Sequence, residues 1–154
     1  MNKIKRPSPD TQKVGFAVAQ LMPHLIRGAQ LDFFAKKNIT QTQFLALASI
    51  YAYGQCAMGV LARNFRVSMP TMTGIVDRLV SAKYVSRFAK PEDRRQVIVE
   101  LTQKGIHFIH QFQFIVSKRW SEALRGLKPE ELSAFHRVIV KLQDQVKPAG
   151  KHDA

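Results

Sequence analysis

Acidic residues are scarce in this chain. Its 154 residues hold 11 Asp and Glu against 24 Lys and Arg, a formal net charge of +13. Cysteine occurs once, at Cys56, which excludes an internal disulfide framework and fits a reducing, cytoplasmic setting. No apolar run approaches the ~18 residues needed to cross a bilayer. The basic segment Met1-Asn2-Lys3-Ile4-Lys5-Arg6-Pro7 has no apolar stretch behind it, so it does not read as a secretory signal. A Walker phosphate loop, Gly-x-Ser-x-Gly and His-Glu-x-x-His are all missing, and with them the common routes to nucleotide, acyl and zinc chemistry. His107 and His110 stand three apart, but no Cys or carboxylate follows nearby to complete a metal site. They read as helix-surface histidines. Neither an enzyme nor a cofactor is expected.

What the chain does have is apolar mass and positive charge. A hydrophobic fraction of 45% with ten Phe is enough, at this length, for one domain with a real core. The excess of cations favours a polyanionic partner, because neutralising phosphates releases condensed counterions. Binding a membrane surface would require those cations along one amphipathic helix. Here they are spread from Lys3 to Lys151. Double-stranded DNA is the better match.

Taken in order, residues 1–10 read as a loose arm. A helical pattern runs from Thr11 to Lys37, with Val14, Val18, Leu21, Leu25, Ile26, Ala29 and Phe33 on one stripe and a kink or break expected at Pro23. Thr40 and Gln43 have capping-box form and open a helix to Tyr53, with Phe44, Leu47, Ala48 and Tyr51 turned inward and Gly54 closing it. Two short helices follow, Met58–Phe65 and Met69–Ala82. Ser68 suits the cap of the second, and Pro70 falls in its first turn, where a missing N–H costs little. Met72, Ile75, Val76 and Leu79 mark its buried face. The other face carries Thr71, Thr73, Gly74, Asp77, Arg78 and Ser81; small hydroxylated residues plus one Arg suit a major groove about 12 Å wide.

The period then becomes alternating. Tyr84–Ala89 and Gln96–Leu101 read as strands, joined by the charged loop Lys90-Pro91-Glu92-Asp93-Arg94-Arg95. Two strands with a basic tip directly behind a helix-turn-helix make a wing. Thr102 caps a long helix, Gln103–Leu124, striped with Ile106, Ile109, Phe112, Phe114, Ile115, Val116 and Trp120. Gly126 breaks the pattern, and Pro129 opens a last helix bearing Leu132, Phe135, Val138, Ile139, Leu142 and Val146. Residues 147–154 read as a disordered tail. The simplest use of apolar-striped helices at both ends is pairing between two copies, which sets two recognition helices about 34 Å apart, one turn of DNA.

From Thr40 through Gly105 the chain resembles the multiple-antibiotic-resistance regulator (MarR) family of winged-helix proteins. The resemblance is carried by Thr40-Gln41-Thr42-Gln43-Phe44 and Leu47, then Leu61-Ala62, then Val67-Ser68-Met69-Pro70-Thr71-Met72-Thr73. It continues through Asp77-Arg78-Leu79, Val85-Ser86-Arg87, Pro91-Glu92-Asp93-Arg94-Arg95 and Leu101-Thr102-Gln103-Lys104-Gly105. It implies a mainly α fold with a small β wing: a winged helix-turn-helix lobe (38–101) between an N-terminal arm and dimerisation helix (1–37) and C-terminal dimerisation helices with a tail (102–154). The function implied is that of a homodimeric transcription factor, a repressor reading a near-palindromic operator. By that resemblance Ser68, Pro70, Thr71, Thr73 and Gly74 belong to the recognition helix and Arg78 to a phosphate contact. Lys90, Asp93, Arg94 and Arg95 belong to the wing, where an Arg held by Asp93 enters a narrow, electronegative minor groove. Arg63 and Arg66 are candidate DNA-backbone contacts.

Three positions depart from the family pattern. Gly74 replaces a longer polar or basic residue, losing a base contact or allowing closer backbone approach. Arg66 replaces a turn Gly, at a cost on the order of 1 kcal/mol if φ is positive. Lys83 replaces the Gly after the recognition helix, as a strained cap or as part of a longer helix. Relatives commonly bind small aromatic acids between dimer helices and lobe; His24, Arg27, Tyr51 and His107 are the candidates here. Cys56, expected in the loop before the first motif helix, offers an alternative as a redox-sensing thiol. The alternative from another class is an architectural protein coating DNA with little sequence preference.

Overall fold

The computed structural model of the chain describes residues 10–91 and 93–145; the side chains of residues 27–32 and 94 fall outside that description. The arm and tail expected at the two ends, Asp10 apart, therefore lie outside the described residues, as do the side chains of Arg27 and Arg94.

Helix α1 spans Thr11–Lys37, capped by Asp10, whose carboxylate accepts from the Lys13 amide at 2.8 Å. The backbone stays helical through Pro23, so the expected break does not occur. Ala19, whose carbonyl loses its donor to that proline, is exposed, and water can replace the missing bond. Asn38 ends the helix at φ 50, a left-handed conformation that Asn tolerates. Helix α2 (Gln41–Tyr53) opens on the complete Thr40–Gln43 capping box and closes at Gly54, φ 80.

A short strand follows that the sequence pattern does not reveal: β1, Gln55–Ala57. Three residues are too few to show a period, and Cys56 sits in this strand rather than in a loop. Helices α3 (Met58–Phe65) and α4 (Met69–Ser81) come next, then strands β2 (Val85–Lys90) and β3 (Asp93–Leu101). The sheet is antiparallel with order β1-β3-β2. In its register Cys56 lies opposite Val99 and Arg87 also lies opposite Val99, on the other edge of β3. Strand pairing reaches Lys90 and Asp93, with an irregularity at Ala89/Lys90. Arg94 and Arg95 thus belong to a strand and not to the loop expected at 90–95. Helices α5 (Gln103–Leu124) and α6 (Pro129–Gln145) complete the chain.

The core lies where α2, α3 and α4 meet the sheet: Leu47, Ile50, Leu61, Met72, Val76, Leu79 and Val99 are fully buried. Ile75 is only half-buried, and Tyr51 is 39% exposed, with Ala46 and Ile50 filling the place expected for it. Phe108, outside the expected stripe, is 2% exposed and central. Its ring lies 4.9 Å from those of Phe33 and Tyr84, and Phe44 meets Phe112 at 4.5 Å. These rings fasten α1 and α5 onto α2. By contrast Val14, Phe16, Val18 and Leu21 of α1 and Leu132, Val138 and Leu142 of α6 are exposed, and α6 buries no residue of its own within the single chain.

Candidate nucleic-acid interface

Helix α4 is built as its sequence implies. The Ser68 hydroxyl accepts from the Thr71 amide at 3.3 Å and shares a 2.8 Å hydrogen bond with the Thr71 hydroxyl. Pro70 occupies the first turn. Met72, Val76 and Leu79 anchor one face; Ser68, Pro70, Thr71, Gly74 and Arg78 are exposed, and Thr73 is half-exposed. Nothing lies within 4 Å of where a Cβ at Gly74 would stand, so no intramolecular approach demands the glycine there.

The turn before α4 carries Arg66 at φ 52, and the turn after it carries Lys83 at φ 62. Of the two readings open for Lys83, the strained cap is the one observed. An L-residue in this conformation costs roughly 1–2 kcal/mol, and the C-terminal turn is held against that cost by the start of α5. Thr102 donates its backbone N–H to the Tyr84 carbonyl at 3.0 Å and its hydroxyl to the Lys83 carbonyl at 2.7 Å. The Lys104 ammonium donates to the Ala82 carbonyl at 2.7 Å and lies 4.6 Å from the Tyr84 ring centre. Gly105 packs so closely that a Cβ would stand 2.1 Å from the Tyr84 oxygen. The Leu-Thr-x-Lys-Gly pattern is thus a clamp on the end of α4.

The wing is joined to α4 by an ion pair between Arg87 and Asp77, with side chains 47% and 48% exposed. Both residues belong to the resembling motifs, but spacing alone gives no sign that they meet. At the tip, the Asp93 carboxylate accepts from the Arg95 backbone amide at 3.0 Å. That bond fixes the backbone at the tip, and no ion pair between Asp93 and the exposed Arg95 guanidinium is present among the described residues. Arg63, Thr73, Arg87 and Arg95 line one groove of about 620 Å³ between α3, α4 and the wing. Arg63 and Arg95, beside an Arg87 already paired with Asp77, form a donor-rich, positive surface next to α4 suited to phosphate oxygens and base edges. Arg66 is exposed and Lys90 half-exposed; neither lines this groove.

Of the four residues expected to bind a small acid, the side chain of Arg27 lies outside the described residues. His24 is exposed on α1, and no hydrogen bond or ring contact among the described residues joins it to Tyr51 or His107. Tyr51 instead hydrogen-bonds His110 across α2 and α5 at 3.1 Å, while His107 pairs with Gln111 at 2.9 Å. Burial pushes the Cys56 thiol above its ordinary pKa, the opposite of what a reactive thiolate requires. No group of three His, Cys, Asp or Glu among the described residues could hold a metal ion. No described helix is long and apolar enough to cross a membrane.

Residues 39–97 match the MarR family model. An uncharacterized HTH-type transcriptional regulator of Bacillus subtilis, YsmB, is 31% identical over 113 residues, spanning 71% of this chain and 75% of the relative. The transcriptional regulator Tm0710 of Thermotoga maritima superposes with a TM-score of 0.75 at 24% identity, over 87% of this chain and 94% of that one. A mutant MepR of S. aureus bound to an oligodeoxyribonucleotide superposes at 0.64 with 19% identity, over 86% and 96%. At these identities the last two are likenesses of fold.

Proposed function

This chain belongs to the MarR family, and from that premise we propose that it is a sequence-specific DNA-binding transcriptional regulator, not an enzyme, acting in the cytoplasm as a homodimeric repressor. One observation carries the reading: Arg63, Thr73, Arg87 and Arg95 converge on one groove between α3, α4 and the wing. The helix start at Ser68, Pro70, Thr71, Thr73 and Gly74 enters the major groove, with Arg63 and Arg66 on the DNA backbone. Arg78 takes a phosphate, and Arg95, flanked by Lys90, Asp93 and Arg94, reaches the minor groove. The exposed apolar stripes of α1 and α6 are the surfaces two copies would bury against each other, placing two lobes on a near-palindromic operator. Release by a small aromatic acid completes this reading.

The test is fluorescence anisotropy at about 150 mM salt, comparing DNA upstream of the protein's own gene with a shuffled duplex. A preference of roughly a thousandfold or more, with two protomers per site, is expected. Arg95→Ala should weaken binding at least tenfold with the dimer intact, whereas wild-type affinity in that variant would refute the wing assignment. Equal binding to both duplexes at ~10⁻⁴ to 10⁻⁶ M, with no sequence enriched from a random library, would favour the architectural role instead.

A further inference from the structure

Met69 is the first residue of α4. By spacing it continues the stripe of Met72, Val76 and Leu79, and those three are fully buried, yet Met69 is 47% exposed. The core begins one turn further along the helix. Met69 instead lines the groove between α3, α4 and the wing. Thr73, one turn on along the same face, lines it as well, together with Arg63, Arg95 and the 38% exposed Val97 of β3.

The helix itself has no need of an apolar residue there. A first helical turn accepts polar side chains and favours acidic ones, and that of α4 holds no acidic residue. A methionine in this place keeps apolar surface in water until something covers it. Its side chain is unbranched, with three rotatable bonds and a polarizable sulfur, so it can follow the shape of what it meets.

The N-terminal residues of a recognition helix are the ones that meet base edges. Of the four bases only thymine shows an apolar group in the major groove, its C5-methyl; the rest of that surface is donors and acceptors. A thioether is at best a weak acceptor, so it has little to offer them. We propose that Met69 is a specificity-determining residue, which selects a thymine in each half-site of the operator by packing on its C5-methyl group. This rests on the regulator reading of the same surface and adds to it one residue and one base. Covering a methyl-sized group is worth about fourfold in affinity, and roughly 15-fold when both half-sites of a dimer lose it.

The test starts from a duplex that the wild-type chain enriches from a random library. Each symmetry-related pair of thymines is replaced in turn by deoxyuridine, which keeps the base pair and every hydrogen-bonding group and removes only the methyl. Binding is read by fluorescence anisotropy for wild type and for Met69→Ala, whose fold is checked by circular dichroism. One pair should weaken wild-type binding by roughly 15-fold and binding of Met69→Ala by less than about twofold. Met69→Leu, which keeps an apolar side chain, should retain most of the discrimination. An enriched duplex on which no deoxyuridine replacement matters, or matters equally for Met69→Ala, overturns the proposal and leaves the regulator reading standing. The same holds if Met69→Ala weakens binding to thymine and deoxyuridine duplexes alike, which places the side chain on sugar or phosphate. If no sequence is enriched at all, the regulator reading fails and the proposal with it.

Discussion

Gly105→Ala and Gly74→Ala make the same chemical change in two helices of this protein, and the structure gives them opposite signs. At Gly105 a Cβ would stand 2.1 Å from the Tyr84 carbonyl oxygen and 3.1 Å from a Leu101 methyl. The nearer neighbour is backbone, so no rotamer change relieves the overlap and α5 must move by more than an ångström. That movement breaks the Thr102 amide bond to the same carbonyl. Overpacking of this kind costs about 1–3 kcal/mol, and a buried carbonyl stripped of its donor adds about 1–3 kcal/mol. A loss of about 2–5 kcal/mol is therefore expected. At Gly74 nothing lies within 4 Å, and an alanine inside a helix is worth roughly 0.5–1 kcal/mol over glycine. Urea denaturation at one fixed protein concentration, which holds any dimer contribution constant, measures both. A Gly105→Ala midpoint within about 0.5 kcal/mol of wild type would refute the clamp. So would destabilisation by Gly74→Ala of the same size as that by Gly105→Ala.

Three further outcomes are expected. Burial raises the Cys56 pKa in the folded state, so the stability this gives is complete below the ordinary thiol value of about 8.5 and is lost as pH rises through the folded value. Cys56→Ala should remove that alkaline loss in pH-dependent urea melts, and the wild-type thiol should label far more slowly with iodoacetamide when folded than when unfolded. A double-mutant cycle on Asp77 and Arg87 should give about 0.2–1 kcal/mol, as for other exposed pairs, and the coupling should shrink at high salt; a value several-fold larger would mean the pair is shielded in the working protein. Val18→Asp combined with Leu142→Asp should shift sedimentation from dimer toward monomer, whereas an unchanged dimer would place the interface elsewhere.

Much of this protein can be read along the chain. Helix boundaries announce themselves by local chemistry: Thr40 with Gln43, Ser68 with Pro70, and Thr102 all cap where they stand, because a cap needs only residues three apart. The recognition helix and wing are legible for the same reason, since a period and a turn are short-range properties. What escaped was set by distant partners. Strand β1 exists because β3 offers Gln55–Ala57 an unpaired edge. Phe108 is central because Phe33 and Tyr84 close around it, and on α2 Ala46 and Ile50 are buried where Tyr51 is not. Asp93 shows the limit most clearly: its sequence places it beside Arg95, but only folded geometry shows its carboxylate accepting from the Arg95 backbone amide. The sequence alone determined the helices, the presence of the wing, the positive charge and the family, all of which rest on local pattern and composition. Tertiary structure decided which cations share a groove and which thiol is hidden, because burial and charge at a point depend on residues far apart in the chain.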